Sequence, residues 1–155
     1  VMASEDAKFL QHEGFDWEGM QTAWEKNLKK GRIVAGGSTI SQQLAKNLFL
    51  SGKRTPWRKG EEAIITFMLE QMMSKRRIFE IYLNVIEWGD GVFGAEAAAR
   101  HYFRKPASAL TASEAARLAA MVPNPRYYDA HRATRYLERR TRIISRRMNY
   151  VRPPR

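Results

Sequence analysis

Apolar residues recur along this chain at steps of three and four rather than two, and that spacing restricts it to a body built almost entirely of α-helices. Glycine and proline punctuate the pattern. Trp17, Met20, Trp24 and Leu28 share one face of a first segment; the stretch from Gly31 to Gly37 then breaks the period and predicts a mobile loop. Ser38 or Thr39 is placed to cap a helix reaching about Leu50. A second helix is expected to start after Pro56 and run through Glu62 to Met73. A third, from Lys75 to Glu87, turns Ile78, Tyr82, Val85 and Ile86 inward and ends in the turn Gly89-Asp90-Gly91. Gly94 opens an alanine-rich helix with His101, Tyr102 and Phe103. Thr111 and Glu114 form a capping box for the next helix, which Pro123 and Pro125 are expected to end. A basic helix from about Thr134 to Asn149 completes the pattern.

There is no internal repeat or linker, and 155 residues suffice for one core without disulfides or metals, so a single domain over 1–155 is expected. No stretch is long and apolar enough to cross a bilayer. The absence of cysteine excludes a disulfide frame, a thiol nucleophile and a Cys-ligated zinc. A net charge of +11 favours polyanionic partners: nucleic acid, an anionic membrane surface or a phosphorylated substrate. Solubility alone accounts for about half of that excess.

The residue pattern offers several places for chemistry. Beyond the glycine stretch, helical geometry puts Thr39, Gln43 and Lys46 within roughly 60° of arc, with Ile40, Leu44 and Leu48 turned elsewhere. Hydroxyl, amide and ammonium aligned beside a loop can hold an anionic or sugar ligand, and a solvated amphipathic helix looks the same. Arg58 and Lys59 stand at a helix start, where the macrodipole disfavours cations unless an anion is near; an Arg58 to Glu62 ion pair is the competing account. Near the beginning, Glu5, Asp6, Phe9 and His12 mix acids with apolar spacing. Glu5 can serve as a general base and His12 as a structural or binding imidazole, while two acids in a first turn also occur as plain helix-start decoration. Asp90 reads as a turn residue rather than a metal ligand. In the last helix Arg132, Arg135, Arg139, Arg142 and Arg146 fall on one face, opposite Leu137, Ile144 and Met148. That face suits an anionic membrane surface, and equally plain solvation.

Five stretches, taken in order, resemble the peptidoglycan glycosyltransferase family, found alone or fused to penicillin-binding transpeptidases. They are Glu5-Asp6-Ala7-Lys8-Phe9-Leu10-Gln11-His12-Glu13-Gly14; Gly36-Gly37-Ser38-Thr39-Ile40-Ser41-Gln42-Gln43-Leu44-Ala45-Lys46-Asn47; Arg58-Lys59-Gly60-Glu61-Glu62-Ala63; Ile81-Tyr82-Leu83-Asn84 through Gly94; and Glu114-Ala115-Ala116 through Pro125. No Ser-x-x-Lys tetrad of the penicillin-binding kind occurs, so the resemblance is to the monofunctional form. It implies a mainly α, lysozyme-like helical domain with a small flexible membrane-proximal lobe. It also implies a single-pass transmembrane anchor on the N-terminal side, in the bacterial inner membrane, with the catalytic domain in the periplasm; only Val1 to Ser4 precede the first motif here.

The resemblance further implies a reaction in which the C4 hydroxyl of lipid II attacks the anomeric carbon of a lipid-linked glycan, with inversion, β-1,4 bond formation and loss of polyprenyl pyrophosphate. By the same resemblance Glu5 is the base, Asp6 supports Glu5 or a metal, and Glu62 is a second carboxylate that orients a cation or a sugar hydroxyl. Lys46, Arg58 and Lys59 surround the pyrophosphate, which is also where a phosphoglycolipid inhibitor of the moenomycin type would bind. Ser38, Thr39, Gln43 and Asn47 become sugar and phosphate contacts, with His12 among the binding residues. A divalent cation, Mg²⁺ or Mn²⁺, suits the pyrophosphate. Expected partners are lipid II, nascent lipid-linked glycan, the inner-membrane surface and other cell-wall synthases, with no nucleic acid. Two rival readings stand beside this one: a lysozyme-like enzyme that cleaves glycan, and a basic helical nucleic-acid-binding module suggested by charge alone.

Overall fold

The computed structural model of the chain describes residues 1–26, 38–49 and 57–155 in full, together with the backbone of 27–30 and 56. The glycine stretch Gly31 to Gly37, the flexible lobe expected around it, Leu50 and the Leu28 side chain lie outside the described residues.

Among those residues the fold is mainly α. The elements are α1 (Met2–Glu5), α2 (Trp17–Lys30), α3 (Ile40–Phe49), α4 (Pro56–Met72), α5 (Lys75–Val85), β1 (Glu87–Gly89), β2 (Val92–Phe93), α6 (Ala95–Phe103), α7 (Ala112–Met121), α8 (Pro125–Ala130) and α9 (Arg135–Arg147). Single 3₁₀ turns follow α6 at Ala107–Ala109 and α9 at Met148–Tyr150. Helix starts follow local chemistry. Ser74 caps α5 by accepting from the Arg77 N–H, and Thr134 caps α9 by accepting from the Leu137 N–H. Thr111 and Glu114 close both halves of the expected capping box on α7.

The core gathers where α3 packs on α4 and α5 and where α7 packs on α9. Phe9, Ile40, Leu44, Ile78, Tyr82, Trp88, Met121, Leu137 and Ile144 are fully buried. Leu137 and Ile144 are the inward stripe of α9, each contributing about 1.5–3 kcal/mol by its burial against α7 and its neighbours. Trp88 joins the two halves, its indole N–H donating to the Leu118 carbonyl at 2.9 Å.

Two boundaries differ from expectation. The third predicted helix stops at Val85, not Glu87, because Ile86 turns extended and the chain enters an antiparallel hairpin. In that hairpin Glu87 lies opposite Phe93 and Gly89 opposite Val92, with an irregularity between Glu87 and Gly89. Gly94 follows at φ 87°, where a β-carbon would stand 2.7 Å from the Asn84 carbonyl oxygen; only glycine lets α6 begin so close to α5. Pro125, expected to end a helix, instead begins α8 at its first position, where the missing N–H costs nothing.

Apolar surface is left exposed among the described residues. Trp17, Met20 and Trp24 do share a side of α2, but it points outward, with Trp17 69% and Trp24 65% exposed. The outer side of α4 adds Trp57, Ile64, Phe67, Met68 and Met72, all exposed.

Candidate active site

The site is built where the end of α1 meets the start of α3. Glu5 and Asp6 are not in the opening turn of a long helix. Glu5 is the last residue of α1 and Asp6 leaves it, at φ −160° and ψ 80°. That departure sends the two carboxylates different ways. Asp6 goes inward and is 5% exposed; its Oδ2 accepts from the Ile40 N–H at 3.2 Å and lies 2.6 Å from His12 Nε2. His12 Nδ1 accepts from the Gly14 N–H at 3.1 Å and faces the Lys75 ammonium at 3.4 Å. With two donors on Nδ1, the ring proton belongs on Nε2, directed at Asp6.

Gly14 ties the same stretch to Thr39. Its φ of +101° is a conformation side chains avoid, and an added β-carbon would sit 2.9 Å from the Thr66 methyl. The Gly14 carbonyl accepts from the Thr39 hydroxyl at 2.6 Å. Thr39 also accepts from the Gln42 N–H at 3.1 Å, while the Gln42 side chain accepts from the Thr39 N–H at 2.9 Å, a reciprocal cap on α3. Thr39, expected among the sugar and phosphate contacts, is therefore enclosed with its hydroxyl committed to the backbone.

Glu5 stays at the surface side, half-buried. Gln43 Nε2 donates to its Oε2 at 3.1 Å and the Ser4 hydroxyl to its Oε1 at 3.2 Å. Behind Gln43, the buried Tyr82 hydroxyl donates to Gln43 Oε1 at 2.7 Å. Burial, reinforced by the negative charges of Glu5 and Asp6, holds the Tyr82 phenol well above its ordinary range, so it remains a donor. A second polar set lies beside His12, with Ser41 buried and Glu70 and Lys75 partly buried. Lys75 bonds Glu70 at 2.6 Å and sits 4.5 Å over the Phe9 ring, and Ser41 donates to the same Glu70 oxygen at 2.5 Å.

The other expected residues fall on two neighbouring surfaces. Ser38 precedes α3, and Lys46 and Asn47 occupy its last turns; all three are exposed. At the start of α4, Glu62 is 6% exposed and its carboxylate lies 3.5 Å from the Lys59 ammonium, while Arg58 is partly buried. Glu62 thus pairs with Lys59 three residues before it on the same helix. Arg132, grouped with the arginine face of α9, turns instead to Asp129 at 2.8 Å and stacks 4.8 Å over the Tyr102 ring.

Asp6 Oδ1 is buried without a hydrogen-bond partner, and an orphaned carboxylate oxygen is the atom a metal would seek. The surroundings do not fit one. The carboxylate is enclosed by Ile40 and His12, and no group of three or more His, Asp or Glu among the described residues could hold an ion.

Sequence reasoning gave no site role to Ser41, Glu70 or Lys75, and placed Tyr82 in the core and in the fourth motif without a role. Their positions depend on folding distant segments together: Lys75 and His12 are 63 residues apart, and Tyr82 and Gln43 are 39 apart. A Glu and a Lys within helices carry no local mark of burial.

A family model described as transglycosylase matches residues 1–149. A biosynthetic peptidoglycan transglycosylase of Laribacter hongkongensis (strain HLHK9) is 80% identical over 154 residues, covering 99% of this chain and 68% of that protein. Proteins of the same description from Methylobacillus flagellatus and Chromobacterium violaceum are 75% and 72% identical over 154 residues, again 99% of this chain and 67% and 68% of their own lengths. The match takes in both carboxylate stretches and every helix from α1 to α9, and on that extent the chain belongs to the transglycosylase family.

Proposed function

We propose that this chain polymerises peptidoglycan glycan strands as a glycosyltransferase, using Glu5 as the base. One observation supports that residue in particular: of two adjacent carboxylates, Asp6 is enclosed and committed to the backbone, while Glu5 is held open to the surface by side-chain donors. In this reading Glu5 takes the proton from the C4 hydroxyl of lipid II, and that oxygen attacks the anomeric carbon of the lipid-linked glycan. The bond from that carbon to the pyrophosphate oxygen breaks with inversion, and polyprenyl pyrophosphate departs. Lys46, Arg58 and Lys59 neutralise the leaving group as its charge develops, Glu62 orients Lys59, and Ser38, Gln43 and Asn47 remain candidates for sugar or phosphate contacts. Any Mg²⁺ or Mn²⁺ would take its oxygens chiefly from the pyrophosphate.

Work on a peptidoglycan precursor places the catalytic domain on the periplasmic side. We place it against the inner membrane, alongside other cell-wall synthases, since the donor and acceptor both carry lipid tails. The exposed aromatic faces of α2 and α4 support contact with lipid. Among the described residues no helix is long and apolar enough to cross a membrane, so a single-pass anchor rests on the family resemblance. The relatives' description as biosynthetic weighs against the glycan-cleaving alternative, and nothing beyond charge favoured nucleic acid. Incubation with lipid-linked disaccharide, and separately with finished glycan, tests the proposal: polymer from the first supports it, while cleavage of the second without polymer rejects it.

A further inference from the structure

Gln43 sits in the hydroxyl, amide and ammonium stripe read from the sequence, a position that suggests a sugar contact. The geometry gives its amide another use. Both ends are occupied within the protein: Nε2 lies 3.1 Å from Glu5 Oε2 and Oε1 lies 2.7 Å from the Tyr82 hydroxyl. An amide can be turned end for end, and here only one orientation is tenable. Reversal would set the carbonyl oxygen against the Glu5 carboxylate, two acceptors with no hydrogen between them. What selects the productive orientation is a donor at the far end, and the Tyr82 hydroxyl is that donor. It is buried and held in its protonated form, in the core where α5 packs on α3.

We infer that Tyr82 is a positioning residue for the transfer reaction, acting through the Gln43 amide to aim one oxygen of Glu5. The inference rests on the reading of Glu5 as base. The order of the chain of contacts matters. Tyr82, buried behind Gln43, fixes the Gln43 amide, Gln43 fixes Oε2, and Ser4 restrains Oε1. The second oxygen, with the weaker serine contact, is then the one free to receive a proton. Nucleophile and base must meet within hydrogen-bond reach, and a carboxylate that rotates spends much of its time misaligned.

Tyr82→Phe removes one oxygen and leaves the ring in its place, so the fold should persist. Gln43→Met keeps the length of the side chain and removes its polar end. With lipid-linked disaccharide as substrate, both variants should lose about five- to tenfold in kcat, the worth of one hydrogen bond, with KM within about twofold of the parent. The double variant should be no slower than Gln43→Met alone, because the two act in one chain. A rise in KM with kcat unchanged would make Gln43 a substrate contact and overturn the inference, as would full activity in folded Tyr82→Phe. Glu5→Gln separates the two levels. If it keeps more than a tenth of the activity, the base assignment fails and the positioning role fails with it. If it is inactive while Tyr82→Phe is normal, the base stands and only the positioning role is lost.

Discussion

Glu5 and Asp6 share a peptide bond and have opposite fates, and the difference is one backbone turn at the end of α1. Glu5→Gln keeps volume and shape while removing the charge that takes a proton. We expect the variant to fold and to bind lipid-linked disaccharide while turnover falls by about 10²–10⁴-fold; a loss under tenfold in a polymerisation assay would reject the role. Lys46 makes a separate case. It is exposed on the last turn of α3, where a positive charge is well placed for a pyrophosphate that gains charge as it leaves. Lys46→Ala should lower kcat more than substrate affinity and weaken a phosphoglycolipid inhibitor by roughly ten- to a hundredfold. Equal single-turnover rates and inhibitor affinities for variant and parent would leave Lys46 as a solvated side chain. At this scale the sequence conveyed the type and spacing of the side chains but not their direction. Thr39 and Gln43 lie on the predicted stripe, yet Thr39 is consumed in capping its own helix and Gln43 lies between Tyr82 and Glu5.

Elements were legible where local rules act alone and less so where tertiary contacts decide. The capping box at Thr111, the Thr134 start of α9 and the inward pair Leu137 and Ile144 follow from residues close in sequence. The β1–β2 hairpin does not: it depends on Asn84 meeting Gly94 and on Trp88 reaching α7. Asp129 carries a further tertiary dependence: from α8 it accepts from the Asp90 N–H of that hairpin at 3.0 Å, meets His101 of α6 at 3.0 Å and accepts from Arg132 at 2.8 Å. The bond from His101, with those from Arg132 and Asp90, lowers its carboxyl from 3.8 to about 2. A depressed folded-state value adds stability that is present above the unfolded value and is lost as pH falls through about 2. Urea midpoints for the parent and Asp129→Asn should therefore differ most above pH 4 and converge as pH approaches 2. A gap that stays constant across that range would contradict this account.

At the scale of the molecule, two kinds of exposed surface accompany the site among the described residues. The apolar faces of α2 and α4 present Trp17, Trp24, Trp57 and Met72 outward, while Arg135, Arg139, Arg142 and Arg146 form an exposed stripe on α9 opposite the buried Leu137 and Ile144. Helical periodicity predicts that such faces exist and is silent on what they meet. If the aromatic faces enter lipid, replacing Trp24 and Trp57 with Ser should reduce sedimentation with vesicles of mixed neutral and anionic lipid, even at high salt. Replacing three of the α9 arginines with Gln should matter only at low salt, at up to about 1 kcal/mol each. Sedimentation unchanged by either set would remove the membrane from this account. The stretch from Asp6 to Gly14 has a different consequence. It belongs to no helix: the buried Phe9 anchors it in the core, and the rest of its order comes from a few polar bonds to Ile40, Thr39 and Lys75. Such a stretch opens at a lower free energy than the helices it lies against. In rising urea, catalytic competence should therefore fade while the far-ultraviolet helix signal is still intact, and amide exchange at Leu10 to Gly14 should outpace that of α7 and α9. The working lifetime of the enzyme would then be set by its least ordered stretch, well before its core gives way.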